Sequence, residues 1–163
     1  KWQRAIRSTE WLVAQLPKDS QYQIYTFNTA AKAVKGDPGI WRNTANSAGL
    51  DDAIKALSRT VPKGGTSLVN AFEALGKFDN APDNLFLITD GLPTQGRKSS
   101  GDSSVSSRER VKLYQQAIAA LPRRIPVNIL LFPMEGDPVA AASFWQLALS
   151  TNGSFMSPSR DWP

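Results

Sequence analysis

The chain has 163 residues, 41% of them hydrophobic, and sets 19 Lys plus Arg against 14 Asp plus Glu for a formal charge of +5. This length and apolar share suit one domain with a sizeable core, spanning residues 1–163, and leave no room for a second. Cysteine and histidine are both absent, which excludes disulfides, thiolate zinc sites, cysteine nucleophiles and every Ser-His-Asp arrangement, so any bound metal is expected to be a hard, oxygen-liganded cation.

In chain order, Trp2, Ala5, Ile6, Thr9, Leu12, Val13 and Leu16 recur at helical spacing, and Pro17 marks the stop. QYQIYTFN, Gln21 to Asn28, reads as a strand, and a second short strand around Ala31 to Val34 follows closely enough to form an antiparallel hairpin. The Gly, Pro and Asn content of residues 36–49 predicts a surface loop, in which Trp41 is expected to act as an anchor. Leu50, Ile54 and Leu57 carry a helix toward Val61. PKGG then breaks the chain, and Thr66 or Ser67 is expected to cap a helix with Leu68, Ala71, Phe72 and Leu75 on one face. Leu85 to Thr89 is apolar on both faces, as in a central parallel strand covered by helices. A Gly/Ser-rich stretch follows, containing Ser103, Ser104, Ser106 and Ser107. A helix resumes with Val111, Tyr114, Ile118 and Leu121, a strand runs from Val127 to Phe132, and a last helix carries Phe144, Trp145, Leu147 and Ala148 to a stop at Asn152-Gly153. Ser154 to Met156 forms a short final strand. Trp2 and Trp145 are expected in the core.

Strands alternating with helices predict a doubly wound α/β domain, with a mostly parallel sheet, helices on both faces and one antiparallel edge strand. In such sheets ligands bind beyond the carboxyl ends of the strands. Asp90 lies at one such end, and the loop PKGGTSL, with its Thr66 hydroxyl, lies at another. A threonine hydroxyl and a carboxylate on neighbouring loops make part of a hard-cation shell, although a plain helix cap and a turn-forming aspartate before Gly91 account for them equally well. Glu135-Gly136-Asp137 follows the Val127 strand at the same end, either as a solvated turn or as carboxylates that help select a partner. Neither the P-loop GxxxxGK[ST] nor GxGxxG occurs, which speaks against a nucleotide-binding enzyme. The basic residues are dispersed rather than interleaved with aromatics in a stripe, so no nucleic-acid partner is expected. There is no apolar run of membrane-spanning length and no signal-peptide pattern.

The order of elements, with GGTSL (Gly64 to Leu68) and LITDG (Leu87 to Gly91) at their places in it, resembles the von Willebrand factor type A (vWA) domain in its bacterial, Rossmann-like form. The resemblance covers essentially the whole chain. It implies a metal-ion-dependent adhesion site in which Thr66 ligates Mg²⁺, or Mn²⁺ or Ca²⁺, directly and Asp90 contacts it directly or through water. A partner Asp or Glu would complete the octahedron, while Ser67, Gly91, Glu135 and Asp137 would lie on the loops that meet that partner. The family's first strand and the D-x-S-x-S loop after it come before the first helix, where this chain starts. The domain is therefore expected to be N-terminally incomplete, with a weak or absent metal site, and the serines beyond TDG are not expected to stand in. The resemblance implies a non-enzymatic, metal-dependent protein-binding module, placed outside the cytoplasm and anchored to a membrane by other segments. The alternatives are a structural assembly domain with a dead metal site, or a Mg²⁺-dependent phosphatase-like enzyme with Asp90 at its centre.

Overall fold

The helical periodicity of the first residues becomes α1, Trp2–Ala14, in the computed structural model, which describes residues 1–98, 104–159 and 161–162. The helix ends a turn before Pro17, with Gln15 as its last half-helical residue. The expected strand Gln21 to Asn28 is split into β1, Gln21–Tyr22, and β2, Tyr25–Phe27. At the break the Gln23 side chain replaces the ladder, accepting from the Ile24 N–H at 2.9 Å and donating to the Ile40 carbonyl at 2.8 Å. β2 pairs with β3, Ala31–Ala33, as the expected antiparallel hairpin. β1 pairs instead with β4, Arg42–Asn43, inside the segment read as a loop. A two-residue ladder leaves no periodicity for a sequence pattern to register.

Trp41 anchors that segment as expected. Its ring lies 4.4 Å from Phe78, and its indole N–H donates to the Asn80 carbonyl at 3.3 Å. The next helix, α2, runs Ser47–Ser58, starting three residues before Leu50 because Asn46 caps it by accepting from the Gly49 N–H. α3, Leu68–Glu73, is capped by Ser67 rather than Thr66 and tightens into a 3₁₀ turn, Ala74–Lys77. β5, Leu85–Thr89, is followed by α4, Ser107–Ala120, β6, Val127–Leu131, α5, Ala140–Ser150, and β7, Phe155–Met156.

β5, β6 and β7 form a parallel sheet in that order, with Leu85 opposite Val127 and Ile129 opposite Phe155. The core joins this sheet to α3, α4 and α5 through Phe72, Leu87, Ala117, Ile129, Leu131 and Phe144. Fully burying each large apolar side chain contributes roughly 1.5–3 kcal/mol. The single doubly wound sheet expected from the sequence is observed only in part. Among the described residues the strands form three separate sheets, one parallel and two antiparallel. β5 hydrogen-bonds β6 on one side, β2 hydrogen-bonds β3, and a groove of about 1450 Å³ lies between α1, the segment Gln21 to Asn28 and β5. Trp2 Nε1 and Tyr22 Oη, both from residues lining the groove, are buried without a hydrogen-bond partner among the described residues.

Trp145 departs from expectation, being 55% exposed on α5, because the buried stripe of that helix is Ala140, Phe144, Leu147 and Ala148. One turn further, Leu149 is exposed as well. The C-terminal tail closes over α1. Trp162 meets Trp11 edge-on at 5.2 Å, and Arg4 donates to the Pro158 and Ser159 carbonyls while its guanidinium covers the Phe132 ring at 4.5 Å.

Candidate functional site

β5 is held in parallel register with β6 up to Thr89 opposite Leu131, so the next residue, Asp90, emerges at the carboxyl end of the sheet. Its side chain is 52% exposed, and Lys1 Nζ lies 3.8 Å from Oδ2. An ion pair this open and long contributes about 0–1 kcal/mol, so Lys1 neutralises Asp90 without holding it rigidly.

The loop before α3 arrives at the same place. Ser67 donates its N–H to the Asn28 carbonyl at 2.6 Å, tying the start of α3 to the end of β2. Thr66 is then bound to the segment that follows Asp90. Its N–H donates to Thr94 Oγ1 at 2.9 Å, and its carbonyl accepts from the N–H groups of Thr94 at 2.9 Å and Gln95 at 3.0 Å. Ser67 Oγ donates to the Gly96 carbonyl at 2.8 Å, and Asn70 Nδ2 donates to the carbonyls of Thr29 and Arg97. Residues 94–97 are thus sewn to residues 66–70 by side-chain and backbone hydrogen bonds. Both loops line the groove, through Thr66 and Asp90.

Beneath this seam is a buried ion pair. Arg110, on the first turn of α4, and Asp137, in the loop before α5, meet at 2.8 Å with side chains only 9% and 3% exposed. Asp137 Oδ2 also accepts from the Leu92 N–H at 2.7 Å, and Arg110 donates to the Leu92 carbonyl through Nε at 3.2 Å and Nη2 at 2.5 Å. Gly91 packs against the pair so closely that a Cβ there would fall 2.6 Å from Asp137 Oδ2 and 3.0 Å from Arg110 Nη2.

Of the residues read from the sequence, Thr66 and Asp90 come to the rim of one groove, while the others divide. Glu135 is exposed. Ser67, Gly91 and the Asp137 carboxylate are buried within the loops that were expected to meet a partner. Ser67 is committed to its cap and to Gly96, Gly91 to close packing, and Asp137 to Arg110 and Leu92. Two residues of the site, Thr94 and Arg110, were not singled out. Thr94 gives no sequence signal, and Arg110 reads as one more dispersed basic residue until α4 turns it inward. The sequence also holds the D-x-S-x-S spacing once, at Asp102, Ser104 and Ser106, among the serines beyond TDG. There it precedes α4 rather than α1. Ser106 caps α4 by accepting from the Glu109 N–H at 3.2 Å, while Asp102 and Ser103 lie outside the described residues.

For a divalent cation the residues fit in kind. Thr66 Oγ1 makes no hydrogen bond among the described residues, so it is available as an oxygen ligand in the same groove as the exposed Asp90 carboxylate. One carboxylate with one hydroxyl suits Mg²⁺, which retains several waters, better than Ca²⁺, which takes six to eight oxygens. No group of three or more Asp or Glu side chains assembles among the described residues, so a cation here would depend on few protein ligands.

Compared with solved structures, the chain is similar to a von Willebrand factor type A protein from Catenulispora acidiphila, with a TM-score of 0.63 and 18% identity over 97% of this chain. The fold is therefore vWA-like. The match covers 34% of that protein, so this chain spans about a third of its length. No protein-family profile and no curated protein matches the sequence.

Proposed function

We propose that the chain is a vWA-type protein-binding module without catalysis of its own, in which Thr66 and Asp90 hold a divalent cation and the Asp or Glu of a partner protein completes its shell. The observation that carries this reading is the seam between two loops far apart in sequence. It brings the Thr66 hydroxyl, which has no hydrogen-bond partner among the described residues, into the groove that the Asp90 carboxylate also lines. The cation would supply a Lewis-acidic point to which a partner carboxylate binds. The protein's own residues orient it: Thr94 and Gln95 fix the Thr66 backbone, β5 fixes the origin of Asp90, and exposed Glu135 lies on a neighbouring loop as a charge that discriminates among partners. In keeping with the family resemblance, an extracytoplasmic, membrane-anchored setting is part of the proposal, the anchor being supplied by other segments.

Calorimetric titration with MgCl₂ and MnCl₂, together with melting curves, tests this. At a hundred times Kd a bound cation stabilises by about 2.7 kcal/mol, and Thr66→Ala and Asp90→Ala should abolish both the heat and the shift. A second reading, a metal-independent assembly domain, is favoured by the Lys1 ammonium already beside Asp90. Wild-type protein indifferent to both cations decides for that reading. Turnover of p-nitrophenyl phosphate that is lost in Asp90→Ala decides for an enzyme.

A further inference from the structure

We propose that Arg110 and Asp137 are positioning residues that set the relative placement of Thr66 and Asp90 by clamping the backbone of Leu92. The role rests on the reading of those two residues as the cation site. The clamp is a closed ring: the Leu92 N–H donates to Asp137 Oδ2, Arg110 Nη2 forms an ion pair with the same oxygen at 2.8 Å, and the Leu92 carbonyl accepts from Arg110. Leu92 is itself buried and belongs to no helix or strand, so its peptide groups need partners that regular structure does not supply. A buried ion pair is a poor choice for stability alone, because well-packed apolar residues of similar volume are often as stable or more so. An apolar pair, however, cannot satisfy one donor and one acceptor on the same residue. Asp137 and Arg110 satisfy both, and each other.

The clamp's position in the chain gives it its reach. Leu92 lies two residues after Asp90 and two before Thr94, and Thr94 and Gln95 bind the Thr66 backbone. A fixed point at residue 92 therefore limits the movement of one candidate ligand directly and of the other through the seam. The clamping groups come from α4 and from the loop before α5, neither of which bears a candidate ligand.

Two readouts on the full chain test the proposal: residue-resolved amide hydrogen exchange without metal, and MnCl₂ affinity measured well below the melting temperature. Asp137→Ala and Arg110→Ala should speed exchange at Leu92, Thr94, Gln95 and Thr66 at least tenfold, leave Val127 to Leu131 unchanged, and weaken Mn²⁺ binding about tenfold. Arg110→Lys keeps the charge and Asp137→Asn keeps an acceptor, so each should recover part of both effects. If an alanine variant does not fold, these two decide. Exchange unchanged at residues 92–95 in a folded variant overturns the clamp, and so does faster exchange spread equally over β6. Wild type that binds no Mn²⁺ refutes the cation site, and the exchange data still decide the clamp.

Discussion

Gly91→Ala separates two opposed physical effects. Gly91 does not have a positive φ, so alanine is conformationally allowed there, and reduced freedom of the unfolded chain should stabilise by about 0.4–1 kcal/mol. The new methyl group, however, would lie 2.6 Å from Asp137 Oδ2, where ordinary contact begins at 3.4 Å. The carboxylate must therefore withdraw by about 0.8 Å. That stretches its 2.7 Å bond to the Leu92 N–H past the usual hydrogen-bond limit of about 3.2 Å. Losing a hydrogen bond to a charged group costs about 1.5–3 kcal/mol, so the net change is a destabilisation of roughly 1.5 kcal/mol. At this chain length that lowers the melting temperature by about 3–6 °C. Urea unfolding followed by tryptophan fluorescence measures the free energy, and the m-value shows whether the unfolded state has changed. Gly96→Ala is the matched control, because its methyl group would make only an ordinary 3.5 Å contact with Leu113 and should be neutral or stabilising. Gly91→Ala at wild-type stability or above would refute the argument that the buried pair is rigid against residue 91.

Phe144→Ala removes a fully buried ring that meets Tyr114 edge-on at 5.5 Å, and equilibrium unfolding should show a loss of about 3–5 kcal/mol. Gly153→Ala places a methyl group 2.0 Å from the Val127 carbonyl oxygen, a backbone atom with no rotamer to escape into, and denaturant titration should show a loss of about 1–3 kcal/mol. Tyr114 donates its hydroxyl to the Ser143 carbonyl at 2.7 Å, and burial raises its pKa from 10.0 to about 12. Because the folded state retains the phenol proton longer than the unfolded one, stability should be full below pH 10 and decline as the pH rises through 12. Tyr114→Phe should flatten that alkaline decline in pH-dependent urea unfolding.

The parallel strands β5 and β6, the hairpin of β2 with β3, and the five helices were all legible in the sequence, because each follows from a local cause. Apolar residues recur at a period of 3.6 or in short continuous runs, and residues such as Ser67 and Ser106 cap the helices that follow them. Thr66 and Asp90 were legible for the same reason, as loop residues at the ends of recognisable elements. The β1–β4 ladder was not, since pairing over two residues depends on where the chain returns rather than on any pattern within it. Trp145 was misplaced because helical spacing identifies an apolar stripe without showing how wide the covering surface is, and on α5 that surface stops short of it.

The sequence by itself determined the five helices, the parallel strands between them and the absence of any imidazole or thiolate group, since the chain has neither histidine nor cysteine. Only the tertiary structure decided that Arg110 and Asp137, 27 residues apart, close on the backbone of Leu92, and that Thr94 links the loop of Thr66 to the loop after Asp90. The spacing of charges along a chain carries no record of such contacts. They exist because α4 and the loop before α5 pack on the same side of a parallel sheet end, where a buried peptide group has no other partner.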